Sequence, residues 1–362
     1  MLLVSNGFQP SYEKGFANGL SMSGIEVSLV GSDRTLVSDL HPLINLLNLR
    51  GSQNPRRKLT NKIKTLALYA FRLFFQLGKK DYQVVHLIGL FLTSSVLIGL
   101  FECLIMRVRS RRFIMTVHNL LPHNNRGFIQ RLLFRLIYRI PVALVVHTEQ
   151  MRDGLVRQFS VSERRIVVMP HGVDLPSRST VNPLPSDRLR ILMFGGINRY
   201  KGVDVLFESL RYCDDINFDI FLVGECRDAE FEHELESLIA RLPVQHKVFW
   251  TKGFVPEKDL YDYFSSVDVV ALPYRSIDQS GVLFTSLGFG VPVIATNVGS
   301  FRSSVPDYAG IVEGKSDPIE FSGVIKKFFV RRVAFDHERI RAYAETLKWE
   351  SCVQPCVNAY AL

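Results

Sequence analysis

Residues 275 to 299, Arg275-Ser-Ile-Asp-Gln-Ser-Gly-Val-Leu-Phe-Thr-Ser-Leu-Gly-Phe-Gly-Val-Pro-Val-Ile-Ala-Thr-Asn-Val-Gly299, carry the reading that decides the fold. A polar loop with one glycine leads into a short apolar helix, Gly290-Val291-Pro292 stops it, and the chain continues to Ala295 as a buried strand. Loop, helix, stop and strand in that order belong to a parallel α/β sheet. The order also builds an anion site. Backbone N–H groups of Ser280, Gly281 and Val282 that converge at a helix start offer unpaired donors and the positive end of the helix dipole. Gly281, lacking a Cβ, lets a ligand approach closely. An ordinary strand-loop-helix corner with no ligand has the same sequence pattern, and the stretch alone leaves both readings open.

Working outward, strand candidates in the first half are Leu2 to Ser5, Glu26 to Val30, Val84 to Leu87, Arg112 to Val117 and Ala143 to His147, with helical stretches between most of them. The pattern restarts with Arg190 to Phe194, Phe218 to Val223, Val248 to Lys252, Val267 to Leu272, Val291 to Ala295 and Gly310 to Val312. Near-continuous apolar strands alternating with helices predict two parallel, doubly wound Rossmann-like domains. We place them at 1–174 and 188–338, joined by the Pro- and Ser-rich stretch from Pro176 to Asp187. Ligands of such sheets bind beyond the carboxyl ends of the strands, and two facing sheets define a cleft. Asn6 to Gly15, His118, Gly195 to Lys201, Gly224-Glu225 and Ser276 to Val282 all follow strands.

At 362 residues the chain has ample length for two hydrophobic cores. Its five cysteines, at 103, 213, 226, 352 and 356, form no CxxC pair, so neither a zinc cluster nor a disulfide framework is implied, and a reduced cytosol fits. Cys352 and Cys356 share a helical face without a partner ligand and read as buried structural thiols. The net charge of +9 is concentrated early. Arg56, Arg57, Lys58, Lys62, Lys64, Arg72, Lys79 and Lys80 surround an apolar, Phe-rich stretch, and Arg107, Arg109, Arg111 and Arg112 follow. This suits an anionic membrane surface. A solvated basic helix is the alternative, and without a zinc-finger, RNP or helix-turn-helix pattern no nucleic acid partner is expected. The N-terminus lacks the basic start and cleavage site of a signal peptide. Val84 to Met106 has the length of a membrane span, but His86, Gly89, two serines and Glu102 interrupt it. We read it as a buried strand, a loop near Gly89 and a buried helix at about 91 to 106.

The 275–299 stretch resembles the donor-binding signature of GT-B glycosyltransferases, in particular the family-four group with bacterial polysaccharide and lipopolysaccharide assembly enzymes. Phe194-Gly195-Gly196-Ile197-Asn198-Arg199-Tyr200-Lys201-Gly202-Val203-Asp204 is similar to the family's Gly-Arg-Leu…Lys-Gly stretch. Thr116-Val117-His118-Asn119 is similar to its Thr-x-His-Asp, and Pro170-His171-Gly172-Val173-Asp174 to its domain boundary. The resemblance implies a GT-B fold whose C-terminal helix, about 340–362, returns to the first domain. It implies a cytoplasmic enzyme, peripheral on the inner face of the membrane, in cell-surface polysaccharide assembly. Such an enzyme moves a sugar from a UDP- or GDP-sugar to a lipid-linked or saccharide acceptor, weakly favouring retention, with no metal and no cofactor beyond that donor substrate.

By the same resemblance Lys201 binds the diphosphate, and Gly195, Gly196, Ser280, Gly281 and Val282 lie along it. Arg199 stands in for the family arginine whose position is Gly196. His118 lies beside the transferred sugar, with Asn119 replacing the family's Asp. Gly15 lets backbone approach the donor. Glu13 is the candidate base if the enzyme inverts; a surface glutamate paired with a lysine is the other reading. Glu225 touches base or ribose, or merely starts a helix. The family's paired glutamates, seven residues apart, are missing: Thr285 occupies the ribose position, and Asp278 is the nearest acid to the other. A catalytically silent GT-B subunit that binds a partner glycosyltransferase, or an epimerase of nucleotide sugars, are the alternatives this departure leaves open.

Overall fold

The computed structural model describes residues 1–361 apart from 6, 8, 55–56, 80, 91–95, 122–126, 177–185, 254 and 257–258. Most of the expected linker, together with Arg56 and Lys80, therefore lies outside the described residues. The chain divides into two units, Met1–Gly172 with Leu347–Leu362, and Val173–Thr346.

The first unit runs β1 (Leu2–Val4), α1 (Pro10–Met22), β2 (Ser28–Val30), β3 (Asn45–Leu47), α2 (Leu59–Lys79), β4 (Val85–Leu87), α3 (Val96–Arg109), β5 (Phe113–Thr116), α4 (Phe128–Ile137), β6 (Ala143–Val146), α5 (Glu149–Phe159) and β7 (Ile166–Val168). Its seven parallel strands are ordered β3-β2-β1-β4-β5-β6-β7. Alternate residues face opposite sides of a strand, and here both sides are apolar. Leu2, Val4, Val85, Leu87, Phe113, Met115, Leu144 and Val146 share one core with Tyr69, Leu73, Cys103, Phe134 and Leu155 of the central helices. Leu3, Ile114 and Val145 share the other with Phe16 and Leu20 of α1 and with Trp349, Val353 and Cys356.

The second unit runs β8 (Arg188–Phe194), α6 (Val203–Leu210), β9 (Asn217–Gly224), α7 (Ala229–Ala240), β10 (Lys247–Lys252), α8 (Leu260–Ser265), β11 (Val269–Leu272), α9 (Gly281–Gly288), β12 (Val293–Ala295), α10 (Phe301–Ser304), β13 (Gly310–Val312), α11 (Pro318–Arg331) and α12 (His337–Thr346). Its parallel sheet is ordered β10-β9-β8-β11-β12-β13. Every sequence-predicted strand is present. Helix α12 packs on α9, so the chain leaves this unit only at Leu347, and α13 (Trp349–Cys352) and α14 (Gln354–Ala361) belong to the first unit.

Two expectations are corrected. The loop after β1 ends at Pro10, whose fixed φ suits the first helical position, so Glu13 and Gly15 are helical residues. Helix α3 is buried on one face only: Leu97, Phe101, Leu104 and Val108 are exposed. Among the described residues no helix is long and apolar enough to cross a membrane.

Candidate functional site

Strand order reverses direction between β1 and β4 in the first sheet and between β8 and β11 in the second, and ligands of such sheets bind at that switch point. At the second unit's switch point the loops after β8 and β11 are stapled together. Gly202, in the left-handed region at φ 67°, has Pro273 O where its Cβ would lie, 2.1 Å away. Arg275 N donates to Tyr200 O at 2.7 Å, and the Arg275 guanidinium grips both oxygens of Asp204 at 2.9 and 2.5 Å. No side chain larger than hydrogen fits at 202 without breaking this contact.

The staple aims Lys201 inward. Its side chain is 6% exposed, and Nζ donates to Phe194 O at 3.0 Å. Among the described residues no carboxylate pairs with it, and burial lowers its pKa to about 8. A Cβ built on Gly195 would lie 2.9 Å from Nζ and 3.5 Å from Val282 Cγ2, so Gly195, the ammonium and the start of α9 converge on one point. Ser280 occupies the N-cap of α9 without capping it. Burial raises the pKa of the neighbouring Tyr274. The first N–H groups of α9 are left without a side-chain acceptor, beside a buried cation, and nothing lies within 4 Å of the Cβ position of Gly281. Oriented donors, a helix dipole and an unpaired ammonium form an anion cradle.

Other expected residues behave differently. Arg199 runs to α7, where it bonds Asp228 at 3.4 Å and Glu234 at 2.7 Å and lies over the Phe231 ring, so its charge is compensated away from Lys201. Glu225 pairs with Arg227 at the surface while its backbone O accepts from Ile197 N, tying the loops after β8 and β9 together. Gly196 is exposed and its carbonyl accepts from Asn198 Nδ2. Thr285 Oγ1 donates to Gly281 O at 3.0 Å, one turn back on the same helix, which leaves the hydroxyl only as an acceptor. Asp278 lies in the loop before α9, where its carbonyl accepts from Ser300 N.

At the carboxyl ends of the first unit's strands the expected residues are engaged by neighbouring side chains. Glu13 is neither a surface residue nor a loop base. It is 3% exposed, with Oε2 accepting from Ser5 Oγ and Oε1 from Thr35 Oγ1 at 2.8 Å, and burial raises its pKa. Ser5 Oγ in turn accepts from Gly7 N, so the carboxylate braces the loop after β1. Gly15 faces Trp349. A Cβ there would lie 2.0 Å from Trp349 Nε1, and Gly19 and Gly172 also lack room against the same residue. Gly15 and Gly172 form a slot for the indole, and Gly19 lies against the backbone and Cβ of the same residue.

His118, half-buried, donates Nε2–H to Ile88 O at 2.7 Å, which leaves Nδ1 as the acceptor of the neutral ring. Burial among neighbouring rings lowers its pKa to about 4. It does not stand alone. His147 lies 5.2 Å away, ring to ring, with Nδ1 donating to Met169 O and Nε2 without a partner; His171 follows at 5.5 Å from His147. Tyr12 sets its ring against His118, His147, His171 and Trp349. Sequence reasoning found only His118. The available signal was positional: His86, His118, His147 and His171 sit in or just after four successive strands.

Comparison with known proteins agrees with this architecture. Residues 13–176 match the model of Glycosyltransferase Family 4, and 177–346 that of Glycosyl transferases group 1. The chain is 28% identical over 240 residues to a D-inositol 3-phosphate glycosyltransferase of Xylanimonas cellulosilytica, covering 60% of this chain and 56% of that one. It is 26% identical over 226 residues to a GDP-mannose:glycolipid 4-beta-D-mannosyltransferase of Xanthomonas campestris, covering 59% of each. These matches thus span somewhat over half the length of those curated relatives. Among solved structures, sucrose-phosphate synthase of Thermosynechococcus elongatus superposes with a TM-score of 0.79 at 16% identity, covering 99% of this chain and 98% of the other. HepE of Anabaena, in complex with UDP-glucose, gives 0.75 at 14%, covering 100% and 99%. With two matching family models that meet at residues 176 and 177, and two Rossmann-like sheets beneath them, the chain belongs to the family-four-like GT-B glycosyltransferases.

Proposed function

We propose that this chain transfers a sugar from a UDP- or GDP-sugar bound at the second unit's switch point to a lipid-linked or saccharide acceptor, working peripherally on an anionic membrane in polysaccharide assembly. One observation carries the reading: Lys201, buried and, among the described residues, without a carboxylate, beside the uncapped start of α9. A diphosphate supplies the missing negative charge. As the glycosidic bond breaks, charge builds on the departing diphosphate, and the ammonium and the amides of 280–282 stabilise it in place, without a metal. Asp278 and His118 are the groups we assign to the sugar, and Thr285 to the ribose. Retention is favoured because Glu13, the candidate base for inversion, has both oxygens occupied by Ser5 and Thr35.

Donor binding tests the reading. A nucleotide sugar at about 100 times its Kd should stabilise the folded protein by about 2.7 kcal/mol in a thermal-shift screen of UDP-, GDP- and ADP-sugars. Lys201→Ala removes a charge-assisted contact of about 1.5–3 kcal/mol and should weaken that donor about ten- to a hundredfold without unfolding the protein. Unchanged affinity in the variant would sink the assignment. A donor that binds but is neither transferred nor hydrolysed would favour the silent subunit.

A further inference from the structure

Three neighbouring helices of the first unit turn apolar side chains to solvent. Leu97, Phe101, Leu104 and Val108 recur on α3 at helical spacing, Phe128, Ile129, Leu132 and Leu136 do so on α4, and Leu59, Ile63, Phe71 and Phe75 stand exposed on α2. Stripes of this kind ordinarily face a core. Helix α3 packs against both α2 and α4, so the stripes form one face. Charge tells what meets it. The three helices carry a single acid, Glu102, against Lys62, Lys64, Arg72, Lys79, Arg107, Arg109, Arg131 and Arg135. An apolar face rimmed almost wholly by cations complements an anionic lipid.

Between α2 and α3 that face opens into a groove of about 350 Å3, walled by Ile63, Leu66, Ala67, Leu97, Phe101 and Ile105. Its floor is closed by a neutralised pair: Arg50 Nη2 and Tyr69 OH both donate to Glu102 Oε1, at 2.8 and 2.5 Å, and the guanidinium lies over the Tyr69 ring. The acid on the floor therefore does not repel an anionic amphiphile. Lys62 and Lys64 flank Ile63, the first wall residue of α2, and the groove starts near the first turn of both helices. In a parallel α/β sheet those turns lie at the carboxyl ends of the strands, where substrates bind.

We propose that the groove between α2 and α3 holds the hydrocarbon chain of the lipid-linked acceptor, with the basic start of α2 beneath its phosphate. The proposal rests on the glycosyltransferase reading and names the acceptor's chemistry. Dodecyl phosphate, kept below its micelle concentration, is the probe in equilibrium dialysis with the whole protein. It should bind saturably, and each methylene removed from the chain should weaken binding up to about fourfold. Ala67→Trp, at an exposed helical position, fills the groove and should weaken dodecyl phosphate at least about tenfold. Leu132→Ser, on α4 outside the groove, should retain dodecyl phosphate binding while reducing attachment to vesicles containing phosphatidylserine. Equal affinity in wild type and Ala67→Trp, or no dependence on chain length, overturns the groove site; so does a wild type that binds no dodecyl phosphate, the result expected if the face docks a protein helix instead. Thermal shift with nucleotide sugars on the same samples separates the two readings. Donor stabilisation without chain uptake overturns the groove and leaves sugar transfer standing; chain uptake without donor stabilisation keeps a lipid site and overturns its assignment to an acceptor.

Discussion

The two switch points are built on the same strand order and hold opposite charges in opposite states of satisfaction. In the first unit a buried carboxylate, Glu13, has both oxygens taken by hydroxyls, the histidines around Tyr12 are held neutral, and an indole packs against Gly15 and Gly172. In the second a buried ammonium, Lys201, donates to a backbone carbonyl and meets no carboxylate among the described residues, and the neighbouring helix start is uncapped. A buried charge that the chain itself satisfies holds structure together; one left without a counter-charge is the place we propose for the donor's phosphates.

The contrast breaks most visibly if the first site is emptied. Trp349→Ala removes the indole from the slot of Gly15 and Gly172 and should cost about 3–5 kcal/mol of stability, read by urea unfolding, with donor affinity unchanged. A loss of only about 1 kcal/mol would mean that the slot collapses and contributes little.

Acidity should separate the units by sign. Burial lowers the pKa of His86 to about 3, and its ring nitrogens are already engaged by Thr116 and Tyr360. Below about pH 6.5 the unfolded chain then binds more protons than the folded one, so stability falls with falling pH, by about 2 kcal/mol at pH 5 for this group alone. Glu13, with its pKa raised, offsets part of that loss. Lys201 responds to alkali instead. Its ammonium is present below about pH 8 and lost above it, so donor affinity should drop up to about tenfold per pH unit beyond that point. Urea unfolding from about pH 7 to 5, and donor titrations from about pH 7 to 9.5, check the two arms. A donor affinity flat across the alkaline range would assign phosphate binding to the amides alone.

The smallest effect sharpens the picture at the ribose. Because the Thr285 hydroxyl already donates to Gly281 O, it has only acceptor capacity for one ribose hydroxyl, whereas a glutamate accepts from two. Thr285→Glu should increase the preference for ribose over 2′-deoxyribose donors by a factor of about five to ten, or about 1 kcal/mol. The kcat/KM ratio of the two donors measures it; an unchanged ratio in an active variant places position 285 away from the ribose.

The second unit was the more legible in sequence. Its strands are apolar runs between glycine and proline signals, and its cradle is local: Gly195, Lys201 and Gly202 lie within one loop, as do Ser280 and Gly281. The first unit hid more. Strand β3 is three residues long and partly exposed, and β7 is three half-buried residues after a basic turn, so neither stands out as a run. The ring cluster is assembled from Tyr12, His118, His147, His171 and Trp349, which no window of sequence brings together. Gly15 was misread for a physical reason. A missing Cβ serves a packed indole as well as an approaching phosphate, and only the neighbour tells which.

The slot for Trp349 also sets an order of events during synthesis. Its walls are translated by Gly172, but its occupant follows roughly 175 residues later, about 9 to 35 s at bacterial and eukaryotic elongation rates. Throughout that interval the nascent first unit carries an open slot and lacks α13 and α14, which share one face of its sheet with α1, while the second unit, contiguous from Val173 to Thr346, emerges. The protein's earlier half is therefore finished last, and a ribosome that stalls between the two units leaves behind a chain that chaperones and proteases can recognise by that vacancy.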